Sequence, residues 1–278
     1  MKRYVINLAA RPDRLAHMER EFGRFGLTFE RFEAVDWRAL EARGIHLPRN
    51  AIGHIACSYS HLDLLRRIGA GDDPYVAIFE DDVLLSDDAA AFLGDTDWIP
   101  PGADLVKLET YATMGYFRRR PASTHAGHTT HEFLHKHTGS AAYIVARDFA
   151  ADFARDLDPM TARHKIDELL FSPRCWPNPA AKVYQLRPAI AVQEMVLLPE
   201  AERQMPSDIG TFTKEFGWRP DPRQQKKYAG PIGRLRMATK GFRDWLKMRM
   251  RFVRLAGRYA TVAMFMELVP FGTRTAPR

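Results

Sequence analysis

Cysteine is scarce in this chain: Cys57 and Cys175 are the two in 278 residues, and neither belongs to a Cys-x-x-Cys pair. They make no disulfide framework, and a reducing compartment is the expected setting. Long apolar runs are missing as well, and no window approaches the roughly 20 residues that a bilayer-spanning helix needs. The opening Met1-Lys-Arg-Tyr-Val-Ile looks superficially like a signal peptide, but Asn7 interrupts its apolar part and Arg11 stops it. That is too short for a signal-peptide core, so a cytoplasmic protein, soluble or peripheral to a membrane, is expected. A glycine-rich phosphate loop is also lacking near the N-terminus, where Ala9-Ala-Arg-Pro12 stands instead. Enzymes that transfer nucleotidyl groups usually carry such a loop. Internal repeats, low-complexity tracts and nucleic-acid-reading motifs are absent too.

A hydrophobic content of 46% is enough to bury a full core, and one large α/β domain with an appendage fits the length. The formal charge of +7 is unevenly spread. From Arg223 onward there are fourteen Lys and Arg against two acids, Asp244 and Glu267, so this part carries +12 and the preceding residues −5. The segment Thr213 to Gly233, with Pro220, Pro222, Gly230 and Pro231, reads as the joint between a mildly acidic body (1–222) and a basic tail (223–278).

The body alternates strand and helix patterns. Strands are expected at Arg3 to Leu8, Thr28 to Ala34, Val76 to Phe79, Leu105 to Leu108 and Ala141 to Val145. Helices are expected from Pro12 to about Phe25, Gly53 to Ile68, Asp148 to Asp156 and Lys165 to Phe171. Such alternation predicts a mostly parallel sheet with helices on both faces. Within it the most informative stretch is Pro74-Tyr-Val-Ala-Ile-Phe-Glu80-Asp81-Asp82-Val83. A short apolar run rich in β-formers, following a Gly-Asp-Asp-Pro turn signal, predicts a buried parallel strand. Its three carboxylates fall at the carboxyl end, where open α/β sheets bind ligands. Side-chain alternation sends Glu80 and Asp82 one way and Asp81 the other. Two hard oxygen ligands on one side suit Mg²⁺ or Mn²⁺, with a bound diphosphate completing the shell; a solvated acidic turn is the alternative.

Taken in order, Tyr4-Val-Ile-Asn7-Leu8-Ala-Ala-Arg11-Pro-Asp-Arg14, Phe32-Glu-Ala-Val-Asp36, Ser60-His61 and Glu80-Asp-Asp82 resemble glycosyltransferase family 25. Gly139-Ser-Ala-Ala-Tyr143-Ile-Val and Ile166-Asp167-Glu168-Leu-Leu resemble its later blocks, so the likeness spans roughly residues 3 to 195. That family includes bacterial lipooligosaccharide galactosyltransferases. The resemblance implies a GT-A-like nucleotide-sugar-binding sheet, a divalent metal (Mn²⁺ or Mg²⁺) and inversion at the sugar carbon. It also implies a hexose, with galactose expected, moved from a UDP-sugar to a cell-envelope glycan or glycolipid. Two alternatives stay open: a nucleotidyltransferase acting on sugar phosphates, and a nucleic-acid-binding protein using the basic tail, although no nucleic acid is expected.

Glycosyl transfer requires the departing diphosphate's charge to be stabilised, and a carboxylate-held metal does this as Lewis acid and template. Glu80 and Asp82 are assigned to the metal, with Asp81 a third ligand or a ribose acceptor. Asp167, just inside a helix after the last core strand, resembles the base of inverting GT-A enzymes; an acid near a helix N-terminus is also structurally favourable. Donor contacts are expected from Asn7 and Leu8 at the end of the first strand and from Arg11 and Arg14, whose guanidinium groups suit phosphate or uracil oxygens. Asp36, Ser60, His61 and Lys107 complete the donor set. A lone helical His is otherwise more often a satisfied buried residue, Arg14 otherwise a solvated helix residue, and Lys107 otherwise an ion-pair partner of Glu109. The metal-binding His that many GT-A enzymes carry after the base-bearing helix is missing, since no His follows His164.

His125, His128, His131, His135 and His137 form a cluster in which His131 and His135 would share a helix face. Nothing in it advertises the closed, oriented shell of zinc. A mobile loop over the acceptor site is expected instead, with His137, Tyr111, Tyr116 and Phe117 as sugar-contacting candidates. In the tail, helical spacing puts Lys240, Arg243, Lys247, Arg251, Arg254 and Arg258 on one face. Phe242, Trp245, Leu246, Phe252, Val253 and Ala256 fall on the other, with Arg249 the one intruder. A basic amphipathic helix of this kind suits an anionic membrane surface; packing against the body is the alternative.

Overall fold

The structure is a computed structural model. Its described residues are 1–45, 51–111, 113–135, 137–155, 157, 165–171, 181–205, 246, 247, 249, 250, 253 and 264–275. The first strand, β1 (Lys2–Asn7), leads into α1 (Pro12–Gly23). Pro12 stands in the first helical turn, where its missing N–H is not needed, and Asp13 stands where a carboxylate complements the helix dipole. After β2 (Glu30–Glu33), Asp36 caps α2 (Trp37–Ala42) by accepting the Arg38 N–H at 2.8 Å. The long α3 (Ile52–Gly69) then returns the chain to β3 (Tyr75–Glu80). Next come β4 (Val83–Leu85), α4 (Ala90–Leu93), β5 (Leu105–Lys107), β6 (Glu109–Thr110), β7 (Met114–Arg118), β8 (Ser123–His125) and β9 (His128–Glu132). The body continues through β10 (Ala142–Ala146), α5 (Arg147–Arg155), α6 (Ile166–Leu170), β11 (Val183–Arg187), β12 (Ala191–Gln193) and α7 (Glu194–Leu197). A last strand, β13, covers Met264–Leu268.

Eight strands form one sheet in the order β2-β1-β3-β10-β5-β11-β9-β8. β1 pairs parallel with β2 and β3, and β5 parallel with β11, but β10 runs antiparallel to both neighbours. The sheet is therefore mixed, not mostly parallel. A parallel neighbour needs a crossover, usually a helix. Here a β-hairpin, β8–β9, is the last regular element before β10, and the chain re-enters beside Phe79, at the carboxyl end of β3.

Alternation along the strands sorts the core into two layers. Tyr4, Ile6, Val76, Ile78, Tyr143 and Val145 face α3, α5 and α6, packing with Leu62, Leu65, Phe149, Phe153 and Leu169. Val5, Ala77, Phe79, Ala142 and Ile144 face the other way, onto Met18 and Phe22 of α1, Phe92 of α4 and Trp98. Helices thus cover both faces. Gly69 sets the approach of α3 to α5, because a Cβ there would stand 2.6 Å from the Ala151 Cα. The layering explains why Glu80, two residues beyond Ile78, faces α3.

The histidine segment is not a mobile loop, and His131 and His135 share no helix. His125 ends β8, while His128 and His131 lie buried on β9. His128 packs on Phe92 with ring centres 4.6 Å apart and donates from Nδ1 to the Pro188 carbonyl at 2.8 Å. His131 donates from Nδ1 to the Arg118 carbonyl at 2.9 Å. β-branched Thr124, Thr129 and Thr130 and the Ala126–Gly127 turn, with φ of 45° and 79°, make the segment a hairpin at the sheet edge.

The division at residue 223 also needs correction. β13 pairs antiparallel with β7, burying Met264, and Val269 is buried beyond it. The Gly272 N–H donates to the Ala189 carbonyl at 2.8 Å. Arg274 donates to Glu21 at 2.8 Å and to the Leu85 carbonyl at 2.7 Å. Residues 264–275 are therefore part of the body; charge counting lumped this apolar strand with its basic neighbours. The joint at 213–233, and most of the helix read at 240–258, Trp245 included, lie outside the described residues. Leu246, Met250 and Val253 are described, helical and exposed.

Burial acts to raise the Glu21 carboxyl, but Arg274 and the Leu85 N–H outweigh it and hold it below its ordinary value. Arg274→Ala leaves that carboxylate buried with Arg24 at 3.4 Å as its remaining cation, and should cost about 2 kcal/mol, less than a fully orphaned buried charge. Because the folded-state pKa is depressed, this contribution is present above the unfolded value and fades as the pH falls through the carboxylate range. Urea unfolding at pH 7 and pH 4 checks it; an unchanged midpoint at pH 7 would mean that the C-terminal segment does not brace the body.

Candidate functional site at the carboxyl edge of the sheet

β3 lies between β1 and β10, so Glu80 is still inside the ladder, opposite Ile6, and its N–H donates to the Ala141 carbonyl at 2.8 Å. One residue later the chain turns, and the carboxylates diverge. Asp81 accepts from Arg14 Nη1 at 2.8 Å on one oxygen and from Asn7 Nδ2 at 2.8 Å on the other. Asn7 is itself fixed by Arg31 Nε, which donates to its Oδ1 at 2.9 Å. Asp82 accepts from Gln193 Nε2 at 3.1 Å, and the same amide lies 3.3 Å from Glu80 Oε2. The other Glu80 oxygen accepts from Ser140 Oγ at 3.1 Å and lies 3.3 Å from His61 Nε2. Glu80 and Asp82 thus converge on Gln193, while Asp81 turns to Arg14.

Burial dominates the electrostatics. It pushes the Asp82 carboxyl up to about 7, with the Glu80 charge adding to the effect. It also raises Asp81, against the pull of Arg14. Glu80 ends below its ordinary value despite burial, because His61 and Ser140 hydrogen-bond its charged form. Arg14, buried against Asp81 and 3.9 Å from Asp82, is the cation inside this group. A hard divalent ion fits this donor set: its charge would offset the burial, and with it the repulsion from Glu80, that raise Asp82. Asp82 and Glu80 are the ligands that the geometry offers, since both Asp81 oxygens already accept strong hydrogen bonds.

A second group faces the first across residues 138–141. Lys107 is fully buried, donates to the Thr138 carbonyl and to the Gly139 carbonyl at 2.5 Å, and lies 3.3 Å from Glu109. The ion pair with Glu109 therefore holds its ammonium, and it is not presented to a phosphate. Burial pushes Lys107 down and Glu109 up to about 7. Glu109 also accepts the Ala141 N–H at 2.7 Å. Gly139 has φ of 92°, and a Cβ there would stand 2.7 Å from Glu109 Oε1 and 2.9 Å from Lys107 Nζ, so only glycine fits. Its N–H donates to Asp167 Oδ2 at 3.0 Å; the other Asp167 oxygen accepts the Glu168 N–H at 2.9 Å. Tyr111 is half-buried near the same carboxylates, and its phenol is raised first by burial and then by Glu109 and Asp167. His137 is buried beside Phe133, and burial followed by the nearby Lys107 lowers it to about 3, so its ring is neutral.

The remaining donor candidates have local duties. The Leu8 carbonyl accepts the Arg11 N–H at 2.9 Å, and Arg11 grips Asp13 through two hydrogen bonds of 2.9 and 2.7 Å. Asp36 caps α2. Ser60 donates to the Ala56 carbonyl and accepts the Val35 N–H at 2.8 Å, stitching the loop before α2 onto α3. His61 is buried, with Nδ1 2.9 Å from the Tyr143 hydroxyl. Sequence reasoning missed Gln193 and Glu194. The Glu194 N–H donates to the Asp82 carbonyl at 3.0 Å, and its carboxylate accepts the N–H groups of Gln204 and Met205 at 2.9 and 2.7 Å. Their signal is a second apolar run, Ala189-Ile-Ala-Val192, that ends in polar groups as β3 does.

A cavity of about 370 Å³ lies away from this site, at the amino ends of β1 and β3, lined by Lys2, Tyr4, Arg67 and Val76. Its cations both pair with Glu30.

The chain is similar to the lipooligosaccharide biosynthesis protein lic2B of Haemophilus influenzae, 27% identical over 211 residues covering 71% of this chain and 77% of that one. It is similar to the lacto-N-neotetraose biosynthesis glycosyltransferase LgtB of Neisseria meningitidis serogroup B, 31% identical over 211 residues, with coverage of 70% and 76%. A solved inositol-1-phosphate CTP transferase from T. maritima aligns over 80% of this chain at 8% identity and a TM-score of 0.38, too distant to carry any argument. The profile of glycosyltransferase family 25, an LPS biosynthesis protein family, matches residues 1–170, which include β1, α3, β3 and Asp167. The chain belongs to glycosyltransferase family 25.

Proposed function

We propose that this glycosyltransferase moves a hexose, galactose first among the candidates, from a UDP-sugar to a saccharide acceptor of the cell envelope, with inversion at the sugar carbon. The observation that carries the reading is the convergence of Glu80 and Asp82 on Gln193, with Asp167 held by Gly139 in the adjacent loop. Names of the relatives, which refer to lipooligosaccharide and lacto-N-neotetraose biosynthesis, support the acceptor class. Mn²⁺ or Mg²⁺ held by Asp82 and Glu80 would supply charge stabilisation for the departing diphosphate. Arg14 and Asn7 orient Asp81 and so fix the turn that carries Asp82. Gly139 and the Glu168 N–H orient Asp167 to take the acceptor proton. UDP release from UDP-sugars would support this reading, and pyrophosphate release from a sugar phosphate and UTP would favour a nucleotidyltransferase.

Asp82→Ala should lower turnover by at least about two orders of magnitude while the fold survives. The proton on Asp82 must leave before a cation binds, so Mn²⁺ affinity in the native chain should rise as the pH passes through about 7. Steady-state transfer and Mn²⁺ titration at pH 6 and 8 measure both; near-native turnover of the variant with added Mn²⁺ would remove Asp82 from the metal site.

Asp167→Asn keeps the shape but cannot accept a proton. The expected defect lies in turnover at saturating acceptor, with UDP affinity nearly unchanged. Unchanged turnover rules out the base role, and a large loss of UDP affinity would make Asp167 a donor ligand instead.

We further propose that the basic segment before β13 docks the enzyme on an anionic membrane surface at the cytoplasmic face. The charge split, and the exposure of Leu246, Met250 and Val253 on one helical stripe, support this. No helix among the described residues is long and apolar enough to cross a membrane. Because residues 264–275 belong to the body, truncation near 222 would damage the fold, and substitution is the cleaner test. Leu246→Asp, Met250→Asp and Val253→Asp together should abolish sedimentation with anionic liposomes and leave transfer to a soluble acceptor intact. Equal sedimentation of the two chains would overturn the docking role.

A further inference from the structure

We propose that Cys57, His61 and Glu80 form a site for a thiophilic divalent ion, Zn²⁺ or Co²⁺, distinct in chemistry from the hard-ion pair of Glu80 and Asp82. Cys57 and His61 are four residues apart on α3 and so share one face of it, the face turned to the end of β3. A ligand atom from each of the three residues falls within 4.8 Å of the others, a group that modest side-chain rotation closes around one ion. The His61 ring is already aimed: Nδ1 meets the Tyr143 hydroxyl at 2.9 Å, the rings stack with centres 5.8 Å apart, and Nε2 is left facing Glu80. An oriented second ring nitrogen is what metal-bound histidines require.

One sulfur, one imidazole nitrogen and one carboxylate oxygen make a donor set for zinc or cobalt, whereas Mg²⁺ and Mn²⁺ favour oxygen throughout. The His61 side chain is completely covered, while that of Glu80 is 23% exposed, so an ion would enter from the carboxylate side. Three protein ligands leave a fourth position for water or a donor oxygen. Binding breaks the Cys57 S–H bond and forms the sulfur–metal bond, with the proton released to solvent. An ion held here engages the Glu80 carboxylate that the hard-ion pair needs; on the glycosyltransferase reading above, it would therefore inhibit transfer.

Titration of the full chain with Co²⁺ alone tests the site by absorption, without reference to activity. A thiolate-to-cobalt charge-transfer band should rise to saturation at stoichiometric cobalt and remain in Cys175→Ser and in Asp82→Ala. It should vanish in Cys57→Ser, whose unfolding midpoint is checked alongside, and Tyr143→Phe should weaken cobalt binding by about tenfold or more. Absence of the band in the native chain, its persistence in Cys57→Ser, or its loss in Cys175→Ser would each overturn the proposal. Zinc inhibition of transfer that Cys57→Ser relieves would tie the site to the enzyme's activity. Failure of the glycosyltransferase reading would leave the cobalt spectrum untouched.

Discussion

Removing Glu80, Asp81, Asp82 and Glu109 from water at one edge of a sheet is the constraint on which the rest of this structure depends. An isolated buried carboxylate is too costly to keep charged, and the cations placed among these four are Arg14 and Lys107. Neutral donors make up the difference: the amides of Asn7 and Gln193, the Ser140 hydroxyl, and the backbone N–H of Ala141. They come from three separate parts of the chain, so the folding of β1, β10 and β12 is coupled to the state of the acidic edge. The compensation is also incomplete. Asp82 and Glu109 are both driven to about 7 by burial, which leaves the edge ready to exchange a proton for a cation.

Residues 138–141 connect the two halves of the site. Lys107 accounts for the carbonyls of Thr138 and Gly139, Glu109 for the Ala141 N–H, and Asp167 for the Gly139 N–H. The left-handed conformation of Gly139 lets the peptide groups on its two sides serve Lys107 and Asp167 in opposite directions. A buried ion pair is weak evidence for stability. Here its work is geometric: the pair fixes the loop that orients Asp167 and carries Ser140 to Glu80.

The legible parts of this fold and site are the local ones. β3 and its carboxylates were readable because a buried strand ending in acids is a pattern contained in nine residues. α3 was readable to within a residue at each end because its apolar stripe is long. The direction of β10 was not, since a strand looks the same in either direction and only the hairpin before it decides. Gln193 was invisible for a different reason: it lies 113 residues from Glu80 and 111 from Asp82, and its amide becomes functional only when β12 docks beside β4. The sequence offers Lys107 either as a donor contact or as an ion-pair partner of Glu109, and its place beside Leu105 and Val106 in a central strand, buried whatever its charge, decides for the ion pair.

The return of the chain at β13 changes how the basic segment can act. With Met264 to Thr275 locked onto β7, α1 and the loop after β4, the segment before it is tethered to the body at its far end as well. A tail free at one end would sample a wide volume, whereas a segment fixed beyond its exposed stripe holds that stripe at a bounded distance from the body. If the stripe of Leu246, Met250 and Val253 lies on a lipid surface, the acidic edge is held within a limited range of that surface, which suits an acceptor saccharide of fixed reach. The same ion pair between Arg274 and Glu21 that steadies the fold would then limit how far the acidic edge can stand from the membrane.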